Sequence, residues 1–245
     1  MDILYVLGKG SKWDNNELRY SLRSIEKFGK NLGNVYVIGY DPGFLSNKVT
    51  LVKIEDCYGV KHKNILNNIC RAVEHTNIND NFLLSSDDHF YVKETDFDNY
   101  PIYCKGELPK VIKATDKAKG YKQSLVDTRK LLEKYGYTHY NFSQHGNTHM
   151  SREAIALANE LIQESYGTHR GAEPTCLLLN VLYKHKPFEF IKRGDVKLKD
   201  NIKGVEDIKQ RLGDREVFSI YDKSIDKGVS EYLQELFPDK SKYEL

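Results

Sequence analysis

The chain is short of the residues that usually announce a specialised scaffold. Four cysteines in 245 residues lie far apart, at Cys57, Cys70, Cys104 and Cys176, with no CxxC pair. That pattern supports neither a disulfide framework nor a cysteine zinc site, and the thiols read as reduced core residues of a cytoplasmic protein. Six prolines and no Pro/Ser/Gly-rich tract leave no linker, so a single domain over 1–245 is expected. No apolar run approaches the roughly 18 residues that a membrane span needs. The N-terminus MDILYVLGKG enters a strand at once, without a charged leader and a long apolar segment, so no signal peptide is expected. Charge of one sign is also scarce. Lys and Arg number 37, Asp and Glu 35, for a net +2, which is not the global signature of a nucleic-acid binder.

What is present is an alternation of short apolar runs and amphipathic segments. ILYVLG (3–8), NVYVIGY (34–40), VTLVKIE (49–55) and Asn81–Ser86 read as strands. Helices are expected from Asn15 to Phe28, with Leu18, Leu22, Ile25 and Phe28 inward and an Asp14/Glu17 capping box, and over 61–75. Further helices are expected over 123–135, 151–164, 174–183 and 228–237, with a basic strand-like stretch at 188–199 and a strand at 216–222. Strands alternating with helices imply an α/β fold with a mostly parallel sheet flanked by helices. In such sheets ligands sit beyond the carboxyl ends of the strands. Gly8–Lys12, Asp41 and Asp87–His89 all fall at such ends.

FLLSSDDHFY (82–91) is the most informative stretch. An apolar strand stops at Asp87-Asp88-His89, which places hard oxygen ligands and one imidazole at a sheet edge. That set suits Mg2+ or Mn2+, the imidazole tilting it to Mn2+, and a divalent ion there can act as a Lewis acid on a departing diphosphate. Gly8, Lys9, Gly10 and Ser11 make a glycine turn whose N–H groups can meet an anion or a base, although GxxxxGK[ST] is absent. Arg19 and Arg23 can fork onto diphosphate oxygens or simply pair with nearby acids. Asn15, Asp41, Lys61 and Asn64 complete the donor-side candidates, with helix-start and turn-forming roles as the plainer readings.

The second half offers acceptor-side candidates. His145 and His149 lie in HGNTH, where Gly146 argues against a regular helix and the absence of HExxH excludes a zinc protease. Glu173, after His169-Arg170-Gly171, is a candidate base for an acceptor hydroxyl or else a helix-start carboxylate. Arg170 can contact the acceptor, Asp88 and Asp222 are further catalytic acids, and Asp222 is equally a turn former. Lys184, Lys186, Lys192, Arg193, Lys197, Lys199 and Lys203, with Phe188 and Phe190 between them, can track a phosphate backbone or form a solvated surface.

DNNELRYSLRSIEKFGKNLGNVYVIGYDPGFL (14–45) followed by FLLSSDDHFYV (82–92) resembles the central region of the Stealth family of sugar-1-phosphate transferases, which includes capsular polysaccharide phosphotransferases. Many of those relatives carry another acid where this chain has His89. Beyond residue 100, and in FSIYDK…YLQELFPDKSKYE (218–244), the chain looks like compact bacterial and phage glycosyltransferases of the GT-A fold, some of which decorate modified bases of phage DNA. The resemblance implies a GT-A-like sheet, with a nucleotide-sugar and metal half (1–100) and an acceptor half (101–245). It implies transfer of a sugar from a nucleotide-diphosphate donor such as a UDP-sugar to a hydroxyl, on a hydroxymethylated DNA base or a cell-surface glycan. A Stealth-type transfer of sugar-1-phosphate is the alternative, and an inactive nucleotide-binding module is the reading from another class.

Overall fold

The computed structural model describes residues 1–111, 120–184, 189–192, 196–199 and 201–245. The chain runs β1 (Asp2–Leu7), α1 (Asn16–Phe28), β2 (Gly29–Lys30), β3 (Val35–Gly39), β4 (Val49–Lys53), α2 (Lys61–His75) and β5 (Asn81–Ser85). It continues through β6 (His89–Tyr91), β7 (Thr95–Asp96), β8 (Tyr103–Cys104), α3 (Tyr121–Lys134), β9 (Thr148–Ser151), α4 (Arg152–Leu157), α5 (Asn159–Gly167) and α6 (Pro174–Leu182). The last elements are β10 (Ile191–Lys192), β11 (Lys197–Leu198), α7 (Val205–Leu212), β12 (Val217–Ile220), a 3-10 turn (Asp222–Lys227) and α8 (Val229–Leu236).

The main sheet has the order β4-β3-β1-β5-β9. Its first four strands are parallel, and β9 pairs antiparallel to β5 with Leu83 opposite His149. This is the expected α/β class, a mainly parallel sheet flanked by helices. Successive residues of a strand face opposite sides, and β5 is buried on both. Phe82 and Leu84 join the cluster that includes Leu66, Ile69 and Leu177, whereas Leu83 joins Leu18, Leu22 and Ile25 of α1. Each of those α1 side chains is fully buried, which stabilises the α1 contact by about 1.5–3 kcal/mol per residue. A third cluster packs Phe90, Phe218 and Leu198 of the small sheet β11-β12-β6 against Leu233 and Phe237 of the C-terminal region.

Strand order fixes where a ligand crevice opens. The chain moves outward from β1 to β3 and β4 on one side and to β5 on the other. The connections therefore diverge between the carboxyl ends of β1 and β5, the place where open α/β sheets form a ligand crevice. Gly8–Ser11 follows β1, and Ser86–Asp88 follows β5.

Three local expectations changed. The start of α1 is organised by Ser11, not by an Asp14/Glu17 box. The Ser11 Oγ accepts from Trp13 N (3.1 Å) and Asn15 N (2.9 Å) and donates to Glu17 Oε2 (2.7 Å). This holds Asp14 and Asn15 at φ of 51° and 56°, left-handed values that cost non-glycine residues energy. The helix expected over 151–164 is two helices that break at Ala158. The 188–199 stretch supplies two short strands to different sheets, β10 beside β8 and β11 beside β12. Among the described residues no helix is long and apolar enough to cross a membrane.

Candidate metal centre and donor cleft

Asp87 and Asp88 form the turn that links β5 to β6. The two carboxyls answer to different neighbours. Burial and the adjacent Asp88 charge push Asp87 up to about 7, opposed by Lys61 and reinforced by Glu17. Burial also works against ionisation of Asp88, yet His89, Lys197 and His145 together hold its carboxyl below the usual range.

Asp88, His89 and His145 each present a ligand atom, and the three atoms lie within 4.8 Å of one another. His89 Nε2 is 3.8 Å from Asp88 Oδ1, and the His89 and His145 rings meet edge to face at 6.0 Å between centroids. The Ser86 N–H lies 3.3 Å from His89 Nδ1. The expected trio Asp87, Asp88 and His89 is thus rearranged. Among the described residues Asp87 stands outside the group of ligand atoms, and His145, expected on the acceptor side, stands within it.

The small sheet builds the wall beside this group. Lys197, Ser219 and His89 are opposite one another across β11, β12 and β6, so their side chains share a face. Lys197 Nζ reaches Asp88 Oδ2 at 3.3 Å and lies 4.8 Å above the Tyr221 ring. Ser219 is fully buried, and its Oγ has no hydrogen-bond partner among the described residues. The same holds for both amide atoms of Asn147, two residues after His145. One carboxylate, two imidazoles and orphaned polar groups nearby fit a divalent cation with ordered water. The second imidazole favours Mn2+ over Mg2+.

The glycine loop follows β1 at the same edge of the sheet as the turn after β5. Gly8, Lys9 and Gly10 are exposed, and a Cβ at Gly8 or Gly10 would meet nothing within 4 Å. Tyr40 N donates to Leu7 O (2.9 Å), which sets Tyr40 beside the loop with Lys9 Nζ 5.9 Å from its ring centroid. Lys12 Nζ is 3.7 Å from Asp222 Oδ2, so the loop and the turn after β12 face each other.

Other candidates are engaged elsewhere. Arg23 donates to both oxygens of Glu244 at 2.8 Å and to Phe237 O, and Arg19 NH1 lies 3.2 Å from Glu244 Oε2. The arginines expected on the donor are thus held by the C-terminal segment. Asp41 takes the turn-forming role, accepting from Gly43 N (2.8 Å) and pairing with Lys53 (2.6 Å). Asn64 bonds both Tyr58 N and Tyr58 O. His149 Nε2 is 2.6 Å from Tyr100 O, and burial lowers its pKa. Glu173 Oε2 caps α6, accepting from Cys176 N and Thr175 Oγ1, both at 2.7 Å. Lys61 and Arg170 both act on His62 at the start of α2.

Among the described residues, lysines of the basic segment turn to different partners. Lys197 turns to Asp88, Lys184 lies 4.3 Å above the Tyr137 ring, and Lys186, Phe188 and Arg193 lie outside the described residues. Sequence reasoning missed Lys197 as part of the site. Its signal was slight, one lysine in a basic run whose pairing with β12 is not local.

No protein-family model matches this chain, and no curated protein matches it in sequence. Among solved structures, the galactosyltransferase LgtC, in complex with donor and acceptor sugar analogues, aligns with a TM-score of 0.48. The alignment is 12% identical and covers 99% of this chain and 97% of that one.

Proposed function

We propose that this protein is a metal-dependent transferase that moves a sugar from a nucleotide-diphosphate sugar to a hydroxyl. The observation that carries this is the Asp88–His89–His145 group, which lies where the connections diverge between β1 and β5, at the sheet edge that also carries the exposed glycine loop. Mn2+ held by these three residues would leave coordination positions for diphosphate oxygens and would supply Lewis acidity to the leaving group. Gly8–Gly10 would present backbone N–H groups to the donor, and Lys9, Lys12 and Lys61 would supply positive charge around it. Asp87, beside the group, would ionise more fully once a cation is bound and so would favour its retention. In this reading residues 1–100 hold most of the donor and 101–245 the acceptor, although His145 comes from the second half.

The donor set also accepts Zn2+ or Fe2+. The glycine loop and its lysines favour the diphosphate reading, for which Mn2+ is the fitting ion. The test is a thermal-shift screen of UDP, GDP, CDP and ADP with each metal, followed by hydrolysis of the matching nucleotide-sugars. A ligand that binds only the folded form raises its apparent stability. The expected result is a shift that needs both nucleotide and Mn2+ and is absent in Asp88→Ala. Binding without turnover would point to the inactive module, and no binding by the wild type would sink the reading.

The acceptor is a hydroxyl on a hydroxymethylated DNA base in our reading, with a cell-surface glycan as the other candidate. Product analysis separates both from the Stealth-type reaction, since sugar-1-phosphate on the product would replace sugar alone.

A further inference from the structure

A second polar cluster sits on the rim of the same cleft. Helix α2 connects β4 to β5 and returns against the strand direction, so its first turn lies at the carboxyl ends of the strands. The Lys61 charge is felt at Asp87 across that rim. The segment before α6 lies directly on this turn. Gly171 has φ +75°, and a Cβ there would stand 2.7 Å from Lys63 Cγ, while Lys63 Nζ donates to Tyr166 O at 2.7 Å. The packing brings His62, Arg170 and Glu173 together.

His62 is the group in this cluster suited to proton transfer. Its Nδ1 is 2.8 Å from the Oγ of Ser124, which is fully buried, so the ring is held from behind. Burial lowers the imidazole's pKa, with Glu173 opposing and Lys61 and Arg170 adding to the fall, which leaves it a neutral base near pH 7. Glu173 is poorly placed for the base role expected of it. It is 7% exposed, and one of its oxygens already accepts two hydrogen bonds at the α6 cap. Ser124 is too buried to act as a nucleophile, which removes a hydrolase-like Ser-His-Glu reading.

We propose that His62 takes the proton of the attacking hydroxyl, with Ser124 as its positioning residue. This rests on the sugar-transfer reading above. With Nδ1 donating to Ser124 Oγ, Nε2 carries the lone pair. The acceptor oxygen bonds to the anomeric carbon as its proton passes to Nε2. The carbon–oxygen bond to the diphosphate breaks, and its electron pair leaves on the diphosphate.

Water serves as the acceptor in the test, which needs no knowledge of the natural one. Hydrolysis of UDP-glucose, UDP-galactose and UDP-N-acetylglucosamine is followed with Mn2+ for wild type, His62→Ala, His62→Gln and Ser124→Ala. The expected loss for both His62 variants is about a hundredfold in rate, the range of general-base catalysis. The UDP–Mn2+ thermal shift should stay at the wild-type value, and added imidazole should restore His62→Ala about tenfold. Ser124→Ala should lose less and gain nothing from imidazole. Hydrolysis by His62→Ala within about threefold of wild type, or a loss that imidazole does not relieve, overturns the proposal. No metal-dependent shift with UDP, GDP, CDP or ADP and no turnover of the matching nucleotide-sugars in the wild type would instead overturn the donor reading beneath it.

Discussion

Two charged clusters flank α1, and they are built on opposite principles. At one, Arg19 and Arg23 close on Glu244, whose side chain is fully buried. Burial opposes its ionisation, but the hydrogen bonds from Arg23, Ser241 and Arg19 hold its carboxyl at about 2. Arg19 also stacks on Phe44 at 3.7 Å, and Leu245 N donates to Phe44 O, so the end of the chain is fastened to its beginning. At the other, burial and the adjacent Asp88 charge push Asp87 up to about 7, while Lys197 pairs with Asp88. The first cluster is complete as the chain folds it. In the second, Asp87 is buried beside another carboxyl. Charge alone therefore does not tell the two clusters apart; how it is paired does.

Breaking each cluster should have contrasting effects. The largest is expected from Asp88→Ala, which should weaken Mn2+ binding by more than about a hundredfold, beyond the loss typical of groups outside the ligand set. The melting temperature of the metal-free protein should change little, and a Mn2+ titration followed by thermal shift reads both. Glu244→Gln should do the reverse. It strands two arginines at a half-closed site and should cost about 3 kcal/mol, or roughly 6–12 °C in melting temperature, with UDP–Mn2+ binding unchanged. Chemical denaturation and nucleotide titration of that variant would check both halves.

The same pair sets an acid limit. Glu244 has a folded pKa of about 2, below its unfolded value. Its stabilisation is therefore complete above the unfolded carboxylate pKa of about 4.3 and is lost as pH falls towards 2. Wild type and Glu244→Gln should converge in stability between about pH 4 and 2, as followed by denaturant melts. A smaller effect is expected from Lys197→Met, which removes the cation that competes for Asp88. Mn2+ affinity without nucleotide should tighten about fivefold, the scale of an ion pair worth about 1 kcal/mol. Isothermal titration would measure it.

How far each cluster was legible follows from the separation of its partners. Strands β1, β3 and β5 and helices α1 and α2 carry their own periodic apolar pattern and were readable within a residue or two. Strand β9 was not, because Thr148–Ser151 has no alternating apolar pattern and becomes a strand by pairing with β5. The break at Ala158 has no Gly or Pro to mark it. Asp88 and His89 were legible because they end an apolar strand. His145 was visible as a candidate, but its place beside Asp88 depends on the β5–β9 pairing. The arginines' pairing with Glu244 was not readable, because that partner stands 221 positions from Arg23. Helix α7 was not read, and the row that Lys197 forms with Ser219 and His89 depends on the small sheet, whose strand β12 was readable within 216–222 but whose pairing with β11 and β6 is not local.

The antiparallel seam between β5 and β9 has a mechanical consequence. His89 follows β5 and His145 precedes β9, so the two imidazoles meet across one end of that ladder. An ion gripping both acts as a clasp on the seam and shortens the loop that the chain must close between them. A slip of β9 by one pleat pair would carry His145 about 7 Å out of reach. The metal would thus read the register of the sheet as well as serve chemistry. Amide exchange at Leu83 and His149 should slow on adding Mn2+, whereas exchange at Val35 and Val37, on the far side of β1, should not.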